Sequence, residues 1–211
     1  MTGVKICGLT TASTLDAALD GGAAFVGAVM FARSPRNIAP TDAATLFERA
    51  RGRAGIVAVV VDPDDALLIE IAGTLKPDLI QLHGHETPQR AQQVRALTGA
   101  GIIKALPIRN REDFAPAAAW DAVADHLLFD ARPVEGSVLP GGVGARFDWS
   151  LAAGRSFRRP WFLAGGLNPG NAVEAATVSG APLLDVSSGV ETAPGVKDTA
   201  LIAAFLKAVQ F

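Results

Sequence analysis

Short apolar runs rich in Val, Ile and Leu recur along this chain, and longer segments of helical periodicity separate them. This alternation is typical of βαβ units, in which a parallel sheet is covered by the helices that connect its strands. There are eight such runs, at residues 4–7, 25–30, 55–61, 79–82, 101–106, 126–130, 161–164 and 183–186. The pattern therefore predicts eight parallel strands, each followed by a helix.

Helix-start signals stand in the segments between the runs. Thr41 precedes DAATLFERA, Asp62 and Pro63 open DDALLIEIAGTLK, and Asn168 with Pro169 precedes GNAVEAATVSG. Small polar residues cap the first N–H groups of a helix, and proline is accommodated in its first turn. These segments are therefore predicted to be helices.

Regular alternation from end to end, without a long linker or a break in composition, favours a closed barrel over an open sheet. A dinucleotide-binding sheet is disfavoured because no GxGxxG follows the first run. A chain of 211 residues can bury most of its apolar surface in one core. We therefore expect a single (β/α)8 TIM barrel over residues 1–211, with its chemistry at the carboxyl ends of the strands.

Charge and cysteine content narrow the classes of function. The formal net charge is −2, without the basic field that nucleic-acid or membrane binding uses. A secretory leader and a bilayer-spanning stretch are both lacking, which predicts a cytoplasmic protein. One cysteine and three histidines make neither an internal disulfide nor a closed zinc site, so we expect no structural metal. Since no exposed apolar run is evident, a monomer is favoured over a dimer.

Glycines follow the seventh run in LAGGL, and SSG follows the eighth. Backbone N–H groups in these two loops bind a substrate phosphate in many barrels, often with help from a short extra helix. Glycines also make ordinary tight turns, and that reading explains either loop alone. The occurrence of both loops in this order indicates a phosphate site at Gly165, Gly166, Ser188 and Gly189.

Cys7 ends the first run, next to Gly8. A thiol there can meet a ligand at the barrel mouth, and a nearby positive charge would increase its thiolate fraction. Lys5 is a candidate for that charge because strand alternation puts it on the same face, although it can instead pair with a carboxylate inside the barrel. A lone cysteine in an apolar strand is more often an inert core residue. Position alone leaves both roles open.

Two carboxylates lie in or at the end of apolar runs. Asp130 closes HLLFD at the same rim as Cys7, and Asp185 lies inside the last run. Partial burial of Asp130 would favour its neutral form, which can act as a general acid. Either carboxylate can instead accept hydrogen bonds from the backbone of a following loop. Asp130 is therefore a candidate acid, and Asp185 a candidate contact to the ligand.

Polar residues in other loops provide further candidates. Arg36, in RSPRN, can present its planar guanidinium to a ligand carboxylate, or it can be an ordinary surface arginine. His83 and Glu86, in QLHGHE, with Gln81 before them, can contribute polar contacts, whereas His83 and His85 lack a third ligand for a metal. Residues 131–147 form a long glycine-rich loop, which predicts either a lid over the ligand or an uninvolved excursion.

Nine motifs occur in the order VKICGLT, VGAVMFARSPRNI, VAVVVDP, DLIQLHGHE, IKALPI, LLFDA, PGGVGARFDW, FLAGGLNPGN and DVSSGVETAPGVKD. Together they resemble the phosphoribosylanthranilate isomerase family over nearly the whole chain. The most specific combination is VKICGLT with DVSSGVE and PGxKD. The chain departs from the family pattern at Val143, where threonine is frequent, and at Thr11, where arginine is frequent. The first removes a hydroxyl near the predicted lid, and the second alters a helix start.

This resemblance implies an enzyme that converts N-(5-phosphoribosyl)anthranilate to 1-(2-carboxyphenylamino)-1-deoxyribulose 5-phosphate. The reaction is an Amadori rearrangement of tryptophan biosynthesis, and it needs no cofactor. The resemblance implies that Cys7 is the general base and Asp130 the general acid. It also implies that Arg36 binds the anthranilate carboxylate and that the loops after the last two strands bind the phosphate.

Other phosphate-handling barrels are the alternatives. The histidine-pathway isomerase has a site with two aspartates and no cysteine base. Pentose-phosphate epimerases need metal-binding His and Asp residues at strand ends. A barrel that binds a phosphorylated ligand without converting it is an alternative from a different class. The presence of Cys7, Asp130 and Arg36 together favours the isomerase.

Overall fold

The eight predicted strands form one closed barrel. In the computed structural model, which describes residues 2–131 and 146–209, neighbouring strands pair in parallel in chain order, and the eighth pairs with the first. The strands are β1 (Gly3–Cys7), β2 (Phe25–Val29), β3 (Gly55–Val60), β4 (Leu79–Leu82), β5 (Gly101–Ile108), β6 (His126–Ala131), β7 (Trp161–Leu163) and β8 (Leu183–Val186). The predicted (β/α)8 fold class is therefore confirmed.

Helices cover the outside of the barrel. Within the described residues they are α1 (Ala12–Asp20), α2 (Pro40–Phe47), α3 (Asp65–Thr74), α4 (Pro88–Thr98), α5 (Ala172–Ser179) and α6 (Thr199–Ala208). Side-chain oxygens of Thr11, Asp64, Thr87 and Asp198 each accept a hydrogen bond from an N–H group in the first turn of the helix that follows. None of the described helices has the length and apolar character to cross a bilayer.

Three helix starts differ from their predicted positions. Helix α2 begins one residue before Thr41 rather than after it. Helix α3 is capped by Asp64 and not by Asp62, whose φ of +45° lies outside the extended conformation of a cap. Helix α5 follows Asn171, because Asn168 instead closes a turn that precedes it. Each displaced start has a second capping residue or a proline close by, and local sequence does not choose between them.

The helix predicted after β5 is present, but it is not an α-helix. That connection is a 3₁₀ segment, Arg111–Trp120, with Pro116 inside it. Proline has no N–H to donate, and its ring clashes with the carbonyl four residues earlier, so an α-helix is disfavoured there. After β6 the described residues contain a 3₁₀ turn at Trp149–Ala152. Apart from its two ends, the predicted lid at 131–147 lies outside the described residues.

An unpredicted excursion follows β8. A short 3₁₀ turn, Ser188–Val190, leads into an antiparallel hairpin of β9 (Glu191–Ala193) and β10 (Val196–Lys197), and α6 begins directly after it. This hairpin places two charged side chains, Glu191 and Lys197, beside the rim of the barrel.

Alternation along the strands separates two apolar layers. Outward residues such as Ile6, Leu82, Phe129 and Leu184 belong to the cluster that packs against the helices. Inward residues form a smaller cluster that fills the barrel; it includes Cys7, Val57, Val59, Ile103, Leu128 and Phe162. Because the interior is otherwise apolar, ionisable side chains on the inner face stand out as candidates for function.

Candidate active site

Toward the carboxyl ends of the strands, inner-face polar side chains come from four strands. They are Lys5 and Cys7 of β1, Gln81 of β4 with His83 just after it, Asp130 of β6 and Asp185 of β8. Their strand neighbours belong to the outer apolar layer, so alternation points these side chains into the barrel. The structure therefore brings Cys7, His83, Asp130 and Asp185 to the inner wall near the carboxyl ends of the strands, as predicted.

Cys7 is 6% exposed and lies among apolar residues and charges. Burial raises the pKa of its thiol above the ordinary value, and Asp185 raises it further, while Lys5 and Lys197 oppose this in part. The sequence had indicated Lys5 as a charge that would increase the thiolate fraction. Lys5 does act in that direction, but burial has the larger effect, so the resting group is the thiol.

The pH dependence of alkylation measures the raised pKa of the Cys7 thiol directly, because Cys7 is the chain's only cysteine. We expect the rate of reaction with iodoacetamide to rise with pH around a midpoint above that of the unfolded protein. Asp185→Asn should lower the midpoint, because it removes a negative charge that disfavours the thiolate. Lys5→Met should raise it. Midpoints that move in the opposite directions, or not at all, would contradict this account of the thiol.

Lys5 and Asp185 form a buried ion pair. The distance from Lys5 Nζ to Asp185 Oδ1 is 2.8 Å, and the side chains are 0% and 8% exposed. Burial alone would lower the pKa of Lys5, but Asp185 and Cys7 hold it above its ordinary value. The lysine therefore stays charged. The alternative that it pairs with a carboxylate inside the barrel is the one that the structure adopts.

Asp130 has a polar contact at each of its carboxyl oxygens. The N–H of Ala131 donates to Oδ1 at 2.8 Å, and Nε2 of His83 lies 3.3 Å from Oδ2. The other ring nitrogen of His83, Nδ1, lies 2.9 Å from Nε2 of Gln81. The N–H of Ala131 therefore fixes one carboxyl oxygen of Asp130, and His83 lies beside the other.

Arg36 is buried, and a carboxylate of the same chain already occupies one edge of its guanidinium. Glu191 accepts from Nε at 2.7 Å and from Nη2 at 2.8 Å. Gly8, with φ of +78°, makes room for the arginine, because a Cβ there would collide with the Arg36 side chain. Glu191 thus fixes the direction of the guanidinium, which remains the candidate group for binding a ligand carboxylate.

Lys197 connects the pair of Arg36 and Glu191 to Cys7 through a chain of hydrogen bonds. Its Nζ donates to Glu191 Oε1 at 2.6 Å and to the backbone oxygen of Ser187 at 2.9 Å, and the Ser187 hydroxyl donates to the Cys7 carbonyl at 3.1 Å. Burial lowers the pKa of Lys197, although Glu191 opposes the change. Burial also works against ionisation of Glu191, but hydrogen bonds from Arg36 and Lys197 hold its pKa below the ordinary value. The cluster therefore remains charged.

The two loops that were predicted to bind the phosphate, after β7 and β8, lie against each other. A Cβ on Gly189 would overlap the carbonyl of Leu167, so only glycine allows this approach. Gly165 and Gly166 both have positive φ. No described residue accepts a hydrogen bond from the N–H groups of Gly165, Gly166, Ser188 or Gly189, and all four residues are partly exposed. Such N–H groups can bind a phosphate.

Neither His85 nor Glu86 belongs to this site. The His85 side chain is 98% exposed and lies beside Asp62. Glu86 pairs with Lys104 at 2.7 Å and accepts from the N–H of Gly84, so its carboxylate shapes the loop after β4. The possible polar contact from Glu86 to a ligand is therefore replaced by a structural role.

Sequence reasoning missed Glu191 and Lys197 as site residues. Both stand in a motif that carried the resemblance, DVSSGVETAPGVKD. For Glu191 and Lys197 the only signal was a pair of opposite charges in a segment that was expected to lead straight into a helix.

The closed parallel barrel and the polar rim at its carboxyl ends define a TIM-barrel enzyme. Residues 4–208 match the family model for N-(5'-phosphoribosyl)anthranilate (PRA) isomerase. The chain therefore belongs to the N-(5'-phosphoribosyl)anthranilate isomerase family, which confirms the resemblance drawn from its motifs.

Relatives match the chain from end to end. It is 61% identical over 210 residues to the N-(5'-phosphoribosyl)anthranilate isomerase of Caulobacter vibrioides, covering 99% of this chain and 95% of that protein. It is similar to the crystal structure of phosphoribosylanthranilate isomerase from Thermotoga maritima, with a TM-score of 0.88, 32% identity and coverage of 100% and 99%. Another crystal structure, with a TM-score of 0.85, 31% identity and coverage of 100% and 99%, is of a phosphoribosyl anthranilate isomerase in complex with reduced 1-(o-carboxyphenylamino)-1-deoxyribulose 5-phosphate.

Proposed function

We propose that this chain isomerises N-(5-phosphoribosyl)anthranilate to 1-(2-carboxyphenylamino)-1-deoxyribulose 5-phosphate, a step of tryptophan biosynthesis. Cys7 is the general base and Asp130 the general acid. The observation that carries the proposal is a family match over residues 4–208 in a barrel whose inner wall holds a thiol and a carboxyl group at strand ends.

The chemistry requires one proton donor and one proton acceptor. Asp130 protonates the ring oxygen of the furanose, so that the C1–O bond breaks and the aniline nitrogen forms an iminium with C1. The iminium makes the C2 proton acidic, and the Cys7 thiolate removes it. The resulting enolamine then takes a proton at C1 and loses the proton of its C2 hydroxyl, which gives the ketone. A thiol and a carboxylic acid in different surroundings suit these opposite tasks better than two identical groups.

Two anchors orient the substrate between the acid and the base. The N–H groups of Gly165, Gly166, Ser188 and Gly189 bind the phosphate, and Arg36 binds the anthranilate carboxylate. Asp185 and His83 line the wall between these anchors and contact the ribose chain. Anchors at opposite ends of the substrate let binding energy place C2 near the base.

Turnover of purified protein tests the proposal. Loss of the anthranilate fluorescence of the substrate is the readout, and we expect catalysis in the presence of EDTA. Failure to convert the substrate would refute the proposed function. Tight binding of product without conversion would identify a phosphate-binding barrel that is not an enzyme, and inhibition by EDTA would favour a metal-dependent epimerase.

The charge of Glu191 provides a prediction about substrate affinity. Glu191→Gln replaces a carboxylate that holds Arg36 at 2.7 and 2.8 Å, so the guanidinium loses a fixed direction. We expect KM to rise about tenfold, with a smaller change in kcat, because a hydrogen bond between charged groups contributes about 1.5 to 3 kcal/mol. Initial rates across substrate concentrations give both constants.

Asp16→Asn is the matched control, because Asp16 pairs with Arg49 on the surface, where the side chains are 33% and 50% exposed. We expect this control to leave KM unchanged. An unchanged KM in Glu191→Gln, or a fall in kcat alone, would contradict the proposed role of Arg36.

We further propose that residues 1–211 form one catalytic domain that acts as a monomer in the cytoplasm. The large apolar side chains that are exposed among the described residues are few and lie on four separate elements, at Ile69, Leu97, Val173, Val178 and Val196. Stable dimers usually bury a contiguous apolar patch. Light scattering of the purified protein should give the mass of one chain.

A further inference from the structure

Five charged side chains are buried around β1 and β8. Lys5 pairs with Asp185 at 2.8 Å, and these two charges cancel. The other three share one carboxylate, because Oε1 of Glu191 lies 2.7 Å from Nε of Arg36 and 2.6 Å from Nζ of Lys197. The five side chains are at most 8% exposed, so little water screens them. Three cations and two carboxylates leave one excess positive charge, which belongs to the group of three.

Lys197 is held as a fully bonded ammonium group. Its Nζ lies 2.6 Å from Oε1 of Glu191, 2.9 Å from the backbone oxygen of Ser187 and 3.0 Å from the Ser187 hydroxyl. An ammonium group has three N–H donors, and each of the three has an acceptor here. The side chain is 1% exposed. A neutral amine would have only two donors for these three oxygens, so the geometry fits the charged form.

The Ser187 hydroxyl connects this ammonium group to the backbone of Cys7. It accepts from Lys197, and it donates to the carbonyl oxygen of Cys7 at 3.1 Å. The thiol itself lies over Gly27 of β2, since a Cβ added there would stand 3.2 Å from Sγ of Cys7. Lys197 and Ser187 therefore hold Cys7 from the side of β8, and a glycine on the side of β2 leaves room for the sulfur.

The charge of Lys197 acts on the sulfur as well as on the backbone. Burial raises the pKa of the Cys7 thiol, Lys5 lowers it, Asp185 raises it, and Lys197 lowers it. Lys5 and Asp185 oppose each other because they form a pair. Burial lowers the pKa of Lys197, and Glu191 and Cys7 both oppose that change. Lys197 and Cys7 thus favour each other's charged forms.

We propose that Lys197 is a positioning residue for the general base: its charge balances the Cys7 thiolate, and its hydrogen bonds fix the end of β1 through Ser187. The inference rests on the proposed role of Cys7 as the base. Ionisation of the thiol adds a third anion to the five buried charges, and the six side chains then carry no net charge. A buried anion is stable only where a cation compensates it. Lys197 thus stabilises the form of Cys7 that removes a proton from carbon.

The charged neighbours of Cys7 come from known elements. On β2, which pairs with Cys7 through Gly27, none of the residues Phe25–Val29 is ionisable. The other neighbours are Lys5 from β1, Asp185 from β8, Arg36 from the loop after β2, and Glu191 and Lys197 from the hairpin. Asp130 of β6 and His83 after β4 each stand three strands from β1 around the barrel. Removal of the Lys197 charge leaves both other ion pairs in place, so it isolates the excess charge.

Alkylation of Cys7 by iodoacetamide tests this charge directly. Lys197→Gln keeps an N–H donor for Ser187 and removes the positive charge. We expect the pH midpoint of the alkylation rate to rise by about one unit, the usual effect of one nearby charge, so the rate below the midpoint falls about tenfold. Lys197→Arg keeps the charge, and its midpoint should stay within about 0.3 pH unit of that of the unmodified protein.

A loss of structure would move the midpoint the other way. Burial is what raises the pKa of the Cys7 thiol, so a loosened barrel would shift the midpoint down, toward that of the protein unfolded in urea. An unchanged or lower midpoint in Lys197→Gln overturns the proposal, and so does an equal rise in Lys197→Gln and Lys197→Arg. Lys207→Gln, at an exposed position on α6, is the matched control and should leave the midpoint unchanged.

Steady-state kinetics at neutral pH test the same charge during turnover. Lys197→Gln should lower kcat by about threefold to tenfold, because fewer molecules hold a thiolate, although the remaining thiolate is a stronger base. KM should change less, in contrast to Glu191→Gln, where KM rises. An unchanged kcat in Lys197→Gln overturns the proposal. Full turnover by Cys7→Ser would refute Cys7 as the base, whereas the alkylation midpoints do not depend on turnover. The two failures are therefore distinguishable.

Discussion

Cys7→Ser and Asp130→Asn are each expected to lower kcat by a factor of about 10² to 10⁴, the usual contribution of a positioned acid or base. A serine hydroxyl is too weak an acid to ionise, so it cannot act as the base in place of the thiolate. Asparagine has no acidic proton to give to the ring oxygen. Neither residue is a proposed anchor for phosphate or carboxylate. KM should therefore change much less than kcat.

The pH profile separates loss of the base from loss of structure. The residual activity of Asp130→Asn needs the thiolate but no protonated acid. Because burial raises the pKa of the Cys7 thiol, kcat/KM of this variant should rise with pH into the range above that of an ordinary thiol. This acid limb should be absent from the residual activity of Cys7→Ser. Binding of the reduced product analogue, measured by calorimetry, should persist in both variants. Activity within threefold of wild type in either variant would refute its assigned role.

The barrel was predictable because its signal is local. Each strand is a short apolar run, and each run ends where a polar or glycine-rich loop begins. The α-helix after β5 was mispredicted because Pro116 can occupy a 3₁₀ segment but not a regular α-helix interior. The hairpin of β9 and β10 was missed because two- and three-residue strands give almost no periodic pattern.

The residues of the site were predictable only where they stand at the end of a strand. Cys7 and Asp130 could be placed at the rim because each closes an apolar run. Their partners could not be read in the same way. Lys5 and Asp185 are 180 residues apart, and Arg36 and Glu191 are 155 apart, so these pairs form only when the barrel closes. Burial of Cys7 likewise depends on residues from several strands, which is why the direction of its pKa shift was missed.

Barrel closure also explains how the charged side chains around Cys7 can be buried. Lys5 pairs with Asp185 across the seam where β1 meets β8, and the hairpin after β8 brings Glu191 to Arg36 and Lys197. Each of these five buried side chains has an opposite charge within hydrogen-bond distance, which is the condition for keeping it ionised in an apolar interior. The same strands that close the barrel thus assemble the electrostatic surroundings of Cys7.

Lys5→Met is therefore expected to destabilise the protein by about 3 to 5 kcal/mol, the cost of leaving one member of a buried ion pair without its partner. The Asp185 carboxylate would remain on the inner wall, 8% exposed, with no counter-charge at 2.8 Å. Urea unfolding followed by circular dichroism gives the free energy of unfolding. A lower midpoint with an unchanged slope would identify a loss of native stability rather than a change in the unfolded state.

The double variant Lys5→Met/Asp185→Leu separates the unpaired charge from a loss of packing. Two apolar side chains of similar volume often replace a buried ion pair at little cost, so the double variant should recover most of the stability that Lys5→Met loses. Arg49→Gln, which breaks an exposed pair with Asp16, should change stability by less than about 1 kcal/mol. A double variant as unstable as Lys5→Met would mean that the lysine stabilises the barrel through its packing and not through its charge.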